Sequence, residues 1–341
     1  MANVTITPEK GAQSLSLTNR WDKIFLQSAQ VDQQKVTFKN RYGITLAADL
    51  YTPKSMKSGD KLPAIVLAGP FGAVKEQVSG LYAQTLAERG FVPLAFDPSY
   101  TGESGGEPRN LASPEINTDD FSAAVDFLLL QNFVQDGQIG ILGICGWGGM
   151  ALNAAAIDTR IKAVATSTMY DMSRVFTYGY NDSTTPEQRH QARQQFNQNR
   201  TENARNGVNS TFAPLPDKTD ASQPQFVQDY VNFYKTPRGF HPRTVGSSTA
   251  DSQNGWVNSM PLAFMNMPLL SFADEIQVPV LLVHGENAHS RYFSEDAFKK
   301  LTVADKELYL VKGAKHTDLY DNQAGKIPYD KFEQFFKANL K

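Results

Sequence analysis

Residues 140–149 read Gly140-Ile141-Leu142-Gly143-Ile144-Cys145-Gly146-Trp147-Gly148-Gly149. An apolar strand runs into a glycine turn, and a helix rich in small residues follows over Met150 to Ile157. This is the layout of a sharp strand-to-helix turn that lifts one side chain above a sheet, with the pattern Gly-x-nucleophile-x-Gly. Counted from the strand, Gly143-Ile144-Cys145 puts a thiol at the tip, and the single cysteine of the 341-residue chain stands there. Cysteine is the most nucleophilic side chain that fills such a slot. Counted back from Gly149, Trp147 occupies the tip and the motif has no nucleophile. A buried structural thiol is the other reading of Cys145, because free cysteine is among the most buried residue types.

The rest of the chain bounds what this turn can belong to. Its length fits one large domain or two small ones, and an apolar content of 41% is ample for a sizeable core. The net charge of −2 gives no electrostatic footprint for nucleic acid, so no nucleic-acid partner is expected. One cysteine excludes an internal disulfide and a cysteine-based zinc site and fits a reducing compartment, so a cytoplasmic location is expected. The first ten residues lack the basic start and apolar run of a signal peptide. No run of 18 apolar residues exists, so no membrane span is expected. The five histidines show no metal-ligand spacing, and neither a cofactor nor a metal is expected.

Outward from the turn, strands and helices alternate. Residues 1–30 are polar and weakly patterned and read as an N-terminal arm with a short helix around Trp21 to Phe25. Val36–Lys39 and Ile44–Tyr51 read as two strands, and Leu62–Ala68 as a strand buried on both faces. A glycine-rich loop, Gly69-Pro70-Phe71-Gly72, comes next. Beyond it lie a helix, a strand over Phe91–Phe96, the loop Asp97–Gly106, and a helix capped by Asn117-Thr118-Asp119-Asp120. Ile161–Thr166 is a further strand after the turn. Such alternation implies right-handed crossovers and a doubly wound, mostly parallel sheet. Ligands sit outside the carboxyl ends of such strands, where the thiol turn and both loops lie.

The alternation breaks between Asp171 and Phe272. About 100 residues between two sheet strands exceed a plain loop, so residues 172–272 read as a mainly helical cap inserted before the last two strands. The core is then residues 31–171 and 273–341. It resumes with a strand over Val278–Val283, the loop His284-Gly285-Glu286-Asn287-Ala288-His289-Ser290-Arg291, a helix, and a strand over Glu307–Val311. That last strand runs into Gly313-Ala314-Lys315-His316, and Pro328 opens the final helix.

The ordered set of thiol turn, long insertion, His-Gly-Glu loop and Gly-x-x-His loop resembles the α/β-hydrolase superfamily in its dienelactone-hydrolase-like branch, over about residues 30–340. The glycine-rich stretch before Lys75-Glu76-Gln77 and the Phe96-Asp97…Gly102-Glu103-Ser104 loop carry the same resemblance. It implies an α/β-hydrolase fold, Cys145 as nucleophile, His316 as base, and an oxyanion hole from Gly146 with Phe71 or Gly72. The superfamily's acid position after the His-Gly strand end is Ala288 here. Glu286 on the same loop and Asp171 after the strand before the cap are the two substitutes in view. A thiol tolerates a weak or missing acid better than a hydroxyl does. Helix dipole and imidazolium are both expected to lower the thiol's pKa.

Two function classes stand at this level. One is a hydrolase or acyl transferase that cleaves an ester, lactone or thioester of a small-molecule acyl substrate. The other is a catalytically silent protein of the same fold that binds a small molecule under its cap. Cys145 with His316 favours the first; Trp147 and Ala288 favour the second.

Overall fold

A computed structural model describes residues 4–341. Eight strands form one sheet: β1 (Val31–Lys39), β2 (Thr45–Pro53), β3 (Leu62–Ala68), β4 (Val92–Phe96), β5 (Val134–Ile144), β6 (Ala163–Ser167), and two late strands beyond the insertion, Val280–Gly285 and Lys306–Val311. Their order across the sheet is β1-β2-β4-β3-β5-β6, then the two late strands. β2 runs antiparallel to both its neighbours, and every pair from β4 onward is parallel. β4 and β6 are buried along their whole length, and β3 over its last five residues, because helices cover the sheet on both faces.

Between these strands lie helices α1 (Val78–Glu88), α2 (Pro114–Leu129) and α3 (Gly146–Ile157). Ser113 caps α2 by accepting from the Ile116 N–H, with Pro114 in the first turn, where its missing N–H costs nothing. The insertion contributes α4 (Met172–Tyr178), α5 (Pro186–Asn206), β7 (Thr211–Phe212), α6 (Gln225–Tyr234), β8 (Trp256–Val257) and α7 (Pro261–Met265). β7 and β8 pair as a separate two-stranded ribbon. The late strands are β9 (Val280–Gly285) and β10 (Lys306–Val311), with α8 (Arg291–Lys300) between them and α9 (Tyr329–Asn339) last. Aromatic contacts seat the flanking helices: Tyr82 of α1 meets Phe332 of α9, and Phe121 of α2 meets Trp147 of α3.

Three local expectations fail. Asn117-Thr118-Asp119-Asp120 does not cap α2 but lies within it, because Ser113 and Pro114 start the helix earlier. Residues 21–25 are not helical. The Trp21 indole instead donates to the Phe25 carbonyl at 2.8 Å, and its ring meets Phe25 edge-on. The turn helix begins at Gly146, four residues earlier than its run of small residues suggests, so it includes Trp147. That side chain is buried against Phe96 and Phe121. Bulk two places after the tip is accommodated because it points into the core and away from the turn. Among the described residues no helix is long and apolar enough to cross a membrane.

Candidate active site

The carboxyl ends of β3, β5, β6, β9 and β10 bring the loop residues together. Cys145 follows β5 with φ 54° and ψ −125°, a left-handed conformation that a non-glycine residue adopts only under constraint. It therefore occupies the tip, and the register that placed Trp147 there is excluded. Small residues make the turn possible. A Cβ on Gly143 would meet the Trp147 carbonyl oxygen at 2.1 Å, and one on Gly146 would meet Phe71 Cβ at 2.7 Å. The second approach brings the β3 loop against the thiol. The backbone N–H groups of Phe71 and Gly146 both turn to the Cys145 sulfur, which makes a two-donor anion pocket at the reacting atom. Gly72, the alternative to Phe71, is not among the donors to the sulfur. Its carbonyl accepts from Val245 N at 3.1 Å.

The loop carrying Phe71 is braced by ions. Lys75 is fully buried, and its ammonium lies 2.8 Å from Glu76, 2.8 Å from Asp97 and 2.9 Å from Glu103. Arg243, from the insertion, reaches Glu76 at 2.8 Å and Asp22 of the N-terminal arm at 2.9 Å. The three carboxylates Glu76, Asp97 and Glu103 converge closely, with the Lys75 ammonium bonded to all three. Lys75 and Arg243 hold the Glu76 carboxyl well below its ordinary range, against the effect of its burial.

His316 lies in the loop after β10 and is buried. Its Nε2 is 3.0 Å from the hydroxyl of Tyr320, and that hydroxyl also turns to the Cys145 sulfur. Among the described residues no hydrogen bond runs directly from Cys145 to His316; Tyr320 stands between them. On the far side of the ring, Nδ1 lies 2.8 Å from Thr168 Oγ1 and 2.6 Å from Ser290 Oγ. Ser290 Oγ also lies 2.7 Å from His284 Nε2, and His284 Nδ1 lies 2.6 Å from Ser294 Oγ. The polar chain behind His316 thus consists of hydroxyls and an imidazole.

Neither expected acid touches His316. Glu286 is exposed and accepts from the Gly313 N–H at 2.9 Å, where it ties the β9 loop to the β10 turn. Asp171 is buried, caps α4 by accepting from Arg174 N at 3.1 Å, and bonds the Ser173 hydroxyl. It faces a hollow lined by Arg174, Phe264 and Lys300, which does not include Cys145.

Electrostatics follow from burial. It pushes the Cys145 thiol up from its ordinary value, against the opposing pull of Tyr320, Phe71 N–H and Gly146 N–H. It holds the His316 imidazole well below its ordinary value, and nearby His289 and His284 add to the effect. The resting pair is a neutral thiol and a neutral imidazole. The expected lowering of the thiol is overridden because no carboxylate stabilises an imidazolium and desolvation acts on both groups.

A cavity of about 230 Å³ opens at the thiol, lined by Phe71, Met172, Leu215, Tyr230, Tyr234 and Trp256 among others. None of its lining residues is an aspartate, glutamate, lysine or arginine. Arg291 lies outside it, paired with Glu295 at 3.2 Å. Tyr320, Thr168 and Ser290 carry no sequence motif of their own. The available signal is spacing: Tyr320 follows His316 by four residues on a short turn of helix, and Ser290 follows the vacant acid position Ala288 by two.

The model of the X-Pro dipeptidyl-peptidase (S15) family matches residues 42–318. The chain belongs to that family. It is 58% identical to uncharacterized protein PA2218 of Pseudomonas aeruginosa over 96% of this chain and 86% of that protein. The crystal structure of PA2218 superposes with a TM-score of 0.91, covering 96% of this chain and all of that one. A segment of 102 residues is 38% identical to thiohydrolase aneE of Aspergillus aculeatus, covering 30% of this chain and 32% of that protein. The α/β hydrolase GrgF of a Penicillium species, 20% identical, superposes with a TM-score of 0.71 over 91% of this chain and 99% of that one. The fold is that of the α/β hydrolases, and the family is one of hydrolases. The dienelactone-hydrolase-like branch is a narrower placement than these matches reach.

Proposed function

We propose that the chain is a hydrolase or acyl transferase that uses Cys145 to cleave an ester or thioester of a small, uncharged acyl group. The observation that carries this reading is the strained Cys145 tip facing two backbone N–H donors, from Phe71 and Gly146. The sulfur attacks the acyl carbonyl, and the carbonyl electron pair moves onto an oxygen held by those donors. The thiol proton passes to His316 and returns to the leaving group, leaving a thioester on Cys145. Water, or an acceptor alcohol or amine, then releases the acyl group.

The cavity supports the substrate class. It lies below the ~300–1,000 Å³ of pockets for drug-sized ligands, so it suits a short or aromatic acyl chain. Its lining has no cation to pair with a carboxylate. The same lining weighs against an X-Pro peptide here, because a free substrate ammonium needs a carboxylate partner in a desolvated site. Similarity to a thiohydrolase, though it covers a third of each chain, points the same way.

Turnover of p-nitrophenyl and thioester substrates with C2 to C8 acyl chains tests the reading, with Cys145→Ala as control. Activity abolished by Cys145→Ala supports it. A second reading has its own observation: Tyr320 stands between thiol and base, and no acid backs His316. On that reading the site binds a small molecule without chemistry. Absence of turnover across the panel, with saturable ligand binding at the cavity, would favour it.

A further inference from the structure

We propose that Tyr320 is a catalytic residue whose phenol hydroxyl carries the proton between the Cys145 sulfur and His316 Nε2. This rests on the reading of Cys145 as nucleophile.

Three observations carry it. The hydroxyl lies 3.0 Å from Nε2 and has the Cys145 sulfur as its neighbour on the other side, so one oxygen faces both ends of the transfer. The side chain is fully buried. It is also confined by ring contacts with Phe233, Tyr230 and Tyr234, with centroids at 5.1, 6.4 and 6.2 Å, so the oxygen is held where it is. The Tyr234 hydroxyl also lies close to it and has no well-aligned hydrogen bond of its own.

The groups behind His316 fix the direction of flow. Nδ1 faces the Ser290 and Thr168 hydroxyls; in the tautomer that carries the proton on Nδ1, one of these hydroxyls accepts it and the Nε2 lone pair is left toward Tyr320. In the same arrangement Ser290 donates to His284 Nε2, and His284 Nδ1–H donates to Ser294. Every donor in this chain points away from the sulfur. During attack the S–H bond breaks as a new O–H bond forms on Tyr320. The original Tyr320 O–H bond breaks as N–H forms on Nε2. The carbon–sulfur bond forms with the electron pair left on sulfur, and the carbonyl π pair moves to the oxygen facing Phe71 and Gly146. Collapse of the intermediate reverses the relay and delivers the proton to the leaving atom. Tyr320 ends as it began, and no co-reactant is needed. The phenol never has to exist as a phenolate, which burial disfavours strongly.

The test is Tyr320→Phe, which keeps the ring and deletes the oxygen, followed by p-nitrophenyl ester turnover and by alkylation of Cys145 with iodoacetamide. The expected results are a fall in kcat of ~10²-fold or more, the usual contribution of a proton-transfer group, with KM within about threefold. Alkylation at neutral pH should slow at least tenfold, on the same basis. A proton inventory of the wild type in H₂O–D₂O mixtures should be curved, reporting two protons in flight, and should become linear in the variant. A second protein with 3-fluorotyrosine at position 320 keeps the hydroxyl and fold, and should regain most of the rate. Alkylation and turnover unchanged in a folded Tyr320→Phe protein, or a linear wild-type inventory, would overturn the relay. If Cys145→Ala is inactive while Tyr320→Phe is not impaired, the relay alone fails. If Cys145→Ala keeps its activity, the nucleophile assignment fails, and the relay with it.

Discussion

Ser290 Oγ lies 2.6 Å from Nδ1 of His316, so a neutral hydroxyl holds the face of the ring opposite Tyr320. A carboxylate there would raise the imidazole's pKa and stabilise its charged form; the hydroxyl only orients it. The site therefore works, on the proposed reading, with groups that are all neutral at rest.

Ser290→Asp tests this relationship. A carboxylate at Nδ1 should raise the His316 pKa. The base must be neutral to accept a proton, so the acid limb of the kcat/KM profile should move to higher pH. Ser290→Ala keeps Thr168 at 2.8 Å and should lower kcat by about tenfold, the worth of one hydrogen bond that strengthens as the ring charges. Glu286→Gln should leave kcat within about twofold, since that side chain caps a surface turn. A tenfold loss in the Glu286 variant would restore it as the acid.

Reactivity of the thiol should follow the same logic. Burial raises Cys145 above its ordinary value, so iodoacetamide labelling of the free protein should be slower at pH 7 than that of an ordinary thiol. The rate should climb as pH rises above 9. His316 is held well below 6.5, so turnover should stay level through neutral pH and fall only in acid. A labelling rate that is fast and flat between pH 6 and 8 would reveal a thiolate and refute this expectation.

The fold was legible in the sequence because strand burial, glycine turns and helix periodicity are local signals. The apolar run Leu62–Ala68 and the periodic helix carrying Phe121, Ala124 and Val125 lie close to their expected positions. The Cys145 tip was legible for the same reason, since its neighbours determine its geometry. The partners of His316 were not. Thr168, Ser290 and Tyr320 come from three loops, and the register of β6 beside β9 brings the first two together. Single hydroxyl residues in loops give no periodicity to read. The acid was sought among carboxylates, whereas the structure uses Glu286 and Asp171 to close turns.

Acid stability offers a separate check. Burial lowers His284 from 6.5 to about 3 and His289 from 6.5 to about 4. A histidine with a depressed folded value binds its proton more readily when unfolded. Its contribution is therefore full above pH 6.5 and is lost as pH falls toward 4 and then 3. Asp120, raised to about 6, acts in the opposite direction, but the two histidines together outweigh it. Each tenfold difference in proton affinity between the folded and unfolded chain is worth about 1.4 kcal/mol, so the two histidines' share of the loss should reach several kcal/mol. Thermal melts between pH 7 and 4 should show Tm falling steeply below 6.5, and His284→Gln should flatten that slope.

The brace beneath the Phe71 loop should prove more important for stability than for chemistry. Lys75→Met removes the ammonium shared by Glu76, Asp97 and Glu103 and leaves buried carboxylates together. Breaking a buried pair by deleting one partner costs about 3–5 kcal/mol. Denaturant melts should show a loss of that size, and any remaining folded protein should retain Cys145 labelling. A change under about 1 kcal/mol would mean that Arg243 and Lys35, which also pairs with Glu103, suffice to neutralise the cluster.

The acyl cavity gives the last expectation. Trp256 is buried, packs tilted against Phe71 with centroids 4.7 Å apart, and lies against Gly72. It closes the cavity on the side of the β3 loop, and Trp256→Ala opens that wall. Longer acyl chains should then bind better relative to short ones, because each added buried methylene contributes about 0.8 kcal/mol where room exists. The ratio of kcat/KM for C8 over C4 p-nitrophenyl esters should rise about tenfold or more. Phe71 loses its packing partner in the same variant, and its N–H is one of the two donors at the sulfur, so kcat for the C4 ester should fall as well. An unchanged chain-length ratio would place the acyl group outside this cavity, and with it the argument for a small uncharged substrate would lose its support.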